Sequence, residues 1–165
     1  MCLRREALAK QLVEFFVCHL GPRQPLAVRN NSLLVLGDLA CKYTSLVDRF
    51  IPRMTDLLGD ASVLLRRQCI TTLAALLSED YVKFRPPYMY RLFHCLSDPE
   101  PANRDIAGCC FQEVLRIRNP AIYAQCFVDV VCMLNGFVGH PVFQAAAGNE
   151  HFCLEDGGRR STVYE

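Results

Sequence analysis

The sequence contains no tryptophan, no CxxC pair and no HxxxH pair. It also lacks any run of β-branched residues alternating apolar with polar. Each absence removes a class. Without period-two alternation, strands are not expected. Without CxxC spacing, the ten cysteines lack the common signature of a structural zinc site. Neither sign of charge is in excess: 18 Lys and Arg stand against 17 Asp and Glu, a formal net charge of +1. Dedicated DNA-binding domains are more basic than this, so any nucleic-acid contact would have to be local. There is no GxxxxGK[ST] loop, no GxGxxG and no HExxH, so no enzyme, no cofactor and no small-molecule substrate are expected. The opening MCLRREALAK is charged at positions 4, 5, 6 and 10, with no uninterrupted apolar run behind it. No signal peptide is therefore expected. The longest apolar segment, Ala121 to Leu134, is interrupted by Gln125 and Asp129. It is too short and too polar to cross a bilayer, and no membrane partner is expected.

What is present is apolar and helical in pattern. Hydrophobic residues make up 52% of the 165 positions and charged residues 21%, the balance of one packed domain rather than a disordered tail. Cys18, Cys41, Cys69, Cys95, Cys109, Cys126 and Cys132 lie inside apolar stretches, where a thiol acts as a small hydrophobe. That usage implies a reduced nuclear or cytosolic protein. His94 and Cys95 could face Cys109 and Cys110 across antiparallel helices, but adjacent cysteines chelate one zinc poorly. Apolar filler is the preferred reading, and no metal is expected.

The chain repeats when it is aligned on its arginines. PLAVRNNSLLVLGDL carries Val28, Arg29 and Leu36. VLLRRQCITTLAALL carries Leu65, Arg66 and Leu73. PANRDIAGCCFQEVL carries Asn103, Arg104 and Phe111. Each arginine precedes a large apolar residue by seven positions (36−29, 73−66, 111−104), and the arginines lie 37 and 38 residues apart (66−29, 104−66). Asp60 and Asp98 precede their arginines by six; the same slot in the first repeat holds Arg23. Such a period indicates successive helix pairs. Leu65, Cys69, Leu73, Leu76 and Leu77 form one helical stripe. The preceding helices carry Leu8, Leu12, Val13, Phe16 and Leu20; then Leu46, Phe50, Ile51, Met54, Leu57 and Leu58; then Tyr88, Leu92, Phe93 and Leu96. Ile122, Phe127, Val128, Val131 and Leu134 open a fourth unit. GPRQP, GDAS and SDPEP supply the turns. Beyond about Asn135 the amphipathic pattern stops. Residues 136–165 read as a loop within an interrupted repeat, and exposed apolar surface is expected near Phe127, Val131 and Leu134.

The fold expected is therefore an all-α solenoid of about three and a half helix-pair repeats over residues 1–135. The period and the missing Trp argue against tetratricopeptide units, and no TPLHxA turn suggests ankyrin. An Asp turn followed by Val-Arg at the head of the second helix resembles the HEAT repeat, although HEAT units usually span ~40–47 residues. A longer resemblance then appears. The run from VRNNSLLVLGDLACKYTSLVDRF through RRQCITTLAALLSEDYVKFR to LSDPEPANRDIAGCCFQEVL resembles the HEAT segment of the D-type regulatory subunits of condensin. RRQCITTLAALLSEDYVKFR and LSDPEPANRDIA look closer to condensin II than to condensin I. The match runs from about residue 3 to residue 135.

That resemblance implies a non-enzymatic subunit of a chromosome-organising complex in the nucleus. Its partners would be a kleisin chain and SMC ATPases, with contact to DNA or chromatin. Members of the family are much longer, so this chain resembles a fragment. In HEAT arrays the arginine typically pairs with turn aspartates of its own or a neighbouring repeat, which assigns repeat stacking to Arg29, Arg66, Arg104, Asp60 and Asp98. Arg67 has no counterpart in the other repeats (Asn30, Asp105). With Lys83, Arg85 and Arg91, interleaved with Tyr81, Phe84, Tyr88 and Tyr90, it forms a candidate basic ridge for phosphates or another partner. The plainer reading makes those aromatics packing residues and the cations a solvated rim. The competing function is a HEAT adaptor with purely protein partners, such as a transport or trafficking scaffold.

Overall fold

Proline, aspartate and glycine set where the helices start and stop. The computed structural model describes residues 2–82, 86–118, 120–137, 139–141 and 152–153, and among these no strand occurs. Helix α1 spans Cys2–Cys18 and α2 Leu26–Lys42. The partner of the second pair is broken into α3 (Thr44–Val47), a 3-10 turn (Asp48–Phe50), α4 (Ile51–Thr55) and another 3-10 turn (Asp56–Gly59). Helix α5 spans Val63–Ser78. Helix α6 (Pro86–His94) runs into a 3-10 turn (Cys95–Ser97). Then α7 (Pro101–Cys109), a π turn (Cys110–Leu115) and α8 (Arg116–Arg118) follow without a break, and α9 spans Ile122–Leu134. The fold is all-α and HEAT-like. Residues Met1–Lys83 and Phe84–Glu165 form two compact units.

Local chemistry explains the breaks. Pro52 has no N–H for the Asp48 carbonyl and its ring crowds that group, so the chain tightens to 3-10 geometry over Asp48–Phe50. Pro101 opens α7, where a missing N–H costs nothing. Two helices end in the same left-handed cap. Asp80 has φ 60° and Gly136 φ 64°. The Tyr81 N–H bonds the Leu76 carbonyl at 2.9 Å, and the Phe137 N–H bonds the Cys132 carbonyl at 2.9 Å. This bond closes a Schellman cap.

In the first unit, α1 packs on α2 and α2 on α5. Leu65, Cys69, Leu73, Leu76 and Leu77 are all buried, as are Ile51, Met54, Leu57 and Leu58 in the preceding segment. Leu33 and Leu36 supply the α2 face. Helix α1 departs from the expected stripe. Val13, and Leu20 just past the helix, are buried as expected, but Ala9 and Val17 take the inward places beside them, while Leu8, Leu12 and Phe15 are exposed. The helix is apolar on two adjacent faces, and the smaller side chains are the ones that allow close packing. Gly37 marks a close approach of α2 to α5: a Cβ there would lie 2.8 Å from Thr72 Cγ2. Only the missing side chain permits that spacing.

In the second unit, α6 packs on α9. Met89, Tyr90, Leu92, Ile122, Cys126, Val130, Met133 and Leu134 are buried. Of the three residues expected to be exposed at this end, Phe127 is exposed, with Val128 beside it, Val131 is half-buried and Leu134 is buried. One residue of the segment read as a loop is core: Phe152 is fully buried, edge-to-face with Tyr90 at 5.9 Å and with His94 at 5.5 Å. The π turn carries the next departure from regularity. The Phe111 carbonyl accepts the Arg116 N–H, five residues on, and also the Tyr123 hydroxyl at 2.7 Å.

The arginine repeat has a definite geometry. The Asp60 carboxylate accepts the Ser62 N–H at 2.9 Å, and Asp98 accepts the Glu100 N–H at 2.8 Å. Each aspartate thus forms its turn with its own side chain. Arg66 Nη1 then donates to the carbonyls of Asp60 (2.8 Å) and Ala61 (3.2 Å). Arg104 Nη1 does the same to Asp98 (2.7 Å) and Pro99 (3.3 Å). Arg29 uses its guanidinium in two directions. Nε donates to the Leu20 carbonyl at 3.1 Å, and Nη2 forms an ion pair with Asp60 in the next repeat. Asn103, fully buried, donates to Asp98 at 3.3 Å.

Three substitutions test this packing. Leu73→Ala should cost about 2–5 kcal/mol in chemical denaturation; an unchanged midpoint would mean the α5 face is misassigned. Arg29→Ala leaves Asp60 without its partner and should cost about 3 kcal/mol or more. Arg49→Ala breaks the exposed Arg49–Glu14 pair (3.0 Å) and should cost under about 1 kcal/mol. Equal losses for the two arginines would contradict the stacking role of Arg29.

Candidate interaction surface

The residues expected to form a basic ridge do not assemble into one among the described residues. Arg91 is buried, with 7% of its surface exposed. Its Nε donates to the Tyr90 hydroxyl at 3.1 Å, and its guanidinium lies 5.3 Å from the Phe152 ring centre. It is a packing cation, not a surface one, and the candidate contact is corrected accordingly. The ring faces that attract the guanidinium lie one residue away and sixty-one residues on, in a segment without periodicity, which is why spacing did not show this. Lys83 and Arg85, with Phe84, lie outside the described residues, as does the side chain of Tyr88. Tyr90 is core and Tyr81 is partly exposed.

Arg67 remains, and its surroundings are apolar. It lines a hollow of about 380 Å³ between α2 and α5 with Leu26, Ala27, Asn30, Leu64 and Gln68. A second hollow of about 260 Å³ follows along the same two helices, sharing Gln68. Leu34, Asp38, Cys41, Thr71, Glu79 and Tyr81 are among its walls, and Gly37 with Thr72 lies between the helices. Both hollows are lined by early residues of α2 with early residues of α5, then by late with late, so the helices run parallel. Leu26, Leu34, Leu64 and Tyr81 are exposed by 42%, 41%, 62% and 37%, which makes the groove an apolar surface rather than a charged one. Arg67 stands at the end where α2 and α5 begin. Asp38 and Glu79 stand at the end where they finish, as does Lys42 in the last turn of α2, so that end carries both signs of charge. The sequence did carry a signal for this groove. Leucine is doubled at Leu33-Leu34 and Leu64-Leu65, and each pair divides, with Leu33 and Leu65 buried and Leu34 and Leu64 exposed.

The cysteines divide. Cys69, Cys95, Cys110 and Cys126 are buried, whereas Cys18, Cys41 and Cys109 are exposed, so the filler reading does not extend to the last three. Burial, with neighbouring Cys109, pushes the Cys110 thiol up to about 11. Burial also raises Cys126, with Asp129 adding to the effect. Such thiols are poor nucleophiles and poor metal ligands near neutral pH. Among the described residues, no group of three or more His, Cys, Asp or Glu is placed to hold a metal ion, and no helix is long and apolar enough to cross a membrane.

Comparison with known proteins converges on one family. Residues 27–138 match the family described as non-SMC mitotic condensation complex subunit 1. The mouse (Mus musculus) condensin-2 complex subunit D3 is 31% identical over 159 residues, 94% of this chain and 11% of that protein. Condensin-2 complex subunit D3-L of Xenopus laevis is 31% identical over 147 residues, 89% of this chain and 10% of its own length. Condensin-2 complex subunit CAP-D3 of Arabidopsis thaliana is 31% identical over 140 residues, 85% of this chain and 11% of its own. The chain thus spans about a tenth of the length of these relatives. The matched interval runs from the head of α2 to the end of α9, across every arginine of the repeat. The chain belongs to the family of non-SMC mitotic condensation complex subunit 1.

Proposed function

We propose that this chain is a non-catalytic HEAT-repeat scaffold of condensin II type, acting on nuclear chromosomes in mitotic condensation and engaging kleisin and SMC partners. The observation that carries the reading is the family match over residues 27–138, together with the 31% identity shared by condensin-2 D-type subunits from three organisms. The physical organisation agrees with it. Arginines and aspartates go into holding turns and, at Arg29 and Asp60, adjacent repeats, and the buried Cys110 and Cys126 thiols are raised away from reactivity. A scaffold needs rigid helix pairs that present side chains, not reactive groups. The groove between α2 and α5 is apolar, which favours protein partners over nucleic acid.

Direct contact with DNA or chromatin belongs to the proposal as a second element, carried by Arg67 with Lys83 and Arg85. Arg91, held against Tyr90 and Phe152, is not part of it.

Co-precipitation of the tagged chain with recombinant condensin II kleisin and SMC subunits should recover the complex, whereas transport-machinery proteins should not be retained. Recovery of the latter alone would overturn the assignment in favour of a trafficking adaptor. For DNA, Arg67→Glu combined with Lys83→Glu should weaken duplex binding at low salt and reduce the salt slope by about 1 per lost phosphate contact, with helical circular dichroism unchanged. Binding unaltered at low salt would remove this side of the molecule from DNA contact.

A further inference from the structure

We infer that the end of α6 is a recognition site for an aromatic side chain, filled in cis by Phe152, and that an aromatic-bearing peptide can exchange with that residue. The inference rests on this socket and not on the identity of the complex. His94 follows Tyr90 by four positions and Arg91 by three, so the three side chains line one edge of α6. The Tyr90 and His94 rings stand nearly perpendicular to the Phe152 ring, at 80° and 88°. The Arg91 guanidinium lies over its face. Phe152 is fully buried there, and Arg91 almost so. The Arg91 Nε bond to the Tyr90 hydroxyl, at 3.1 Å, steadies the guanidinium in this position. All three contacts are specific to a ring. An aromatic side chain offers a negative face to a cation and a positive edge to other rings. A leucine would fill space in the socket but make none of these contacts.

The occupant is a small anchor on a long tether. Ten residues, 142–151, lie in sequence between Pro141 and Phe152. Beside the ring, the half-buried Cys153 donates its thiol to the Met133 carbonyl at 3.4 Å, a weak bond. The end of α9 is held by other contacts. The Phe137 N–H closes the cap on the Cys132 carbonyl, and His140 lies 3.5 Å from the Asp129 carboxylate. Val130, Met133 and Leu134 are buried in the same unit. Phe152 can therefore leave without unwinding α9. A side chain tethered in this way acts as an internal ligand, present at its own site at roughly millimolar effective concentration. A free peptide carrying the same ring competes with it on equal chemical terms.

The full 165-residue chain, wild type and Phe152→Ala, would be titrated by fluorescence anisotropy with labelled GNEHFSLED. This probe is the chain's own residues 148–156 with serine in place of Cys153. GNEHLSLED and GNEHASLED serve as controls. Phe152→Ala should bind the phenylalanine probe about tenfold or more tighter than wild type, because the tethered ring no longer competes. The leucine probe should bind that variant about threefold weaker than the phenylalanine probe, and the alanine probe weaker still. A second reading needs no variant. Iodoacetamide alkylation of Cys153 in the wild-type chain, followed by peptide mass mapping, reports release of the anchor. Millimolar GNEHFSLED should speed it about fivefold or more, and GNEHASLED should not. Equal affinity of wild type and Phe152→Ala, equal binding of the leucine probe, or alkylation indifferent to GNEHFSLED would overturn the exchange site. Loss of the helical signal in Phe152→Ala, with alkylation of wild type unchanged by the probe, would make Phe152 an ordinary core residue. Sedimentation showing a dimer that Phe152→Ala dissolves would overturn the cis occupant, by giving the socket to a second copy.

Discussion

A guanidinium drawn back onto the carbonyls of the turn before its own helix fixes where that helix begins. The entry to each second helix has two problems to solve at once. The loop that enters a helix leaves both N–H groups and carbonyls without helical partners. Asp60 and Asp98 answer the first problem by accepting the N–H groups of the N-cap residues Ser62 and Glu100. Arg66 and Arg104 answer the second by donating to two consecutive carbonyls. With the turn fixed in this way, the residue seven positions beyond the arginine arrives in the core: Leu73 and Phe111 are both buried, as is Leu36 after Arg29. The position of the apolar face therefore follows from a polar contact made two helical turns earlier.

Arg29 shows how the same residue type joins one repeat to the next. Its guanidinium spans the Leu20 carbonyl and the Asp60 carboxylate, so that one side chain touches the turn of its own repeat and the turn of the following one. Arginine suits this because its donors point in several fixed directions from one plane. The Asp60 carboxylate is used fully, one oxygen on the Ser62 N–H and the other on Arg29. Removal of either partner leaves a partly buried charge exposed to a poor solvent, which is why a contact of this kind matters more than the exposed pair of Arg49 with Glu14.

The repeat was legible in the sequence because arginine and aspartate recur at a fixed offset from leucine and phenylalanine, and that offset is the physical mechanism itself. The stripe Leu65, Cys69, Leu73, Leu76, Leu77 was legible for the same reason. Helix α1 was not, because Leu8 and Leu12 look as suited to a core as Val13 does, and only the neighbouring helix decides between two apolar faces. Arg91 was misread for a different reason. Its ring partner Phe152 lies in a segment with no period, so nothing local marks the pair. The groove between α2 and α5 depends on Gly37 and Thr72, whose close approach is a property of two helices together. Asn103 carries no apolar signal, yet it is fully buried because the Asp98 carboxylate receives its amide.

The π turn at Cys110–Leu115 makes its own stretch of helix unusual in how it would tolerate a change in length. A π turn is an α-helix carrying one residue too many. Deleting a residue there would relax the backbone to ordinary helix and leave both flanks in place, with the Arg104 contact upstream untouched. The same deletion within α2 or α5 would turn every later side chain by about 100°, carrying Leu36 or Leu73 out of the interior. Gains and losses of single residues among relatives should accordingly collect at this point of the chain and avoid the two earlier helices.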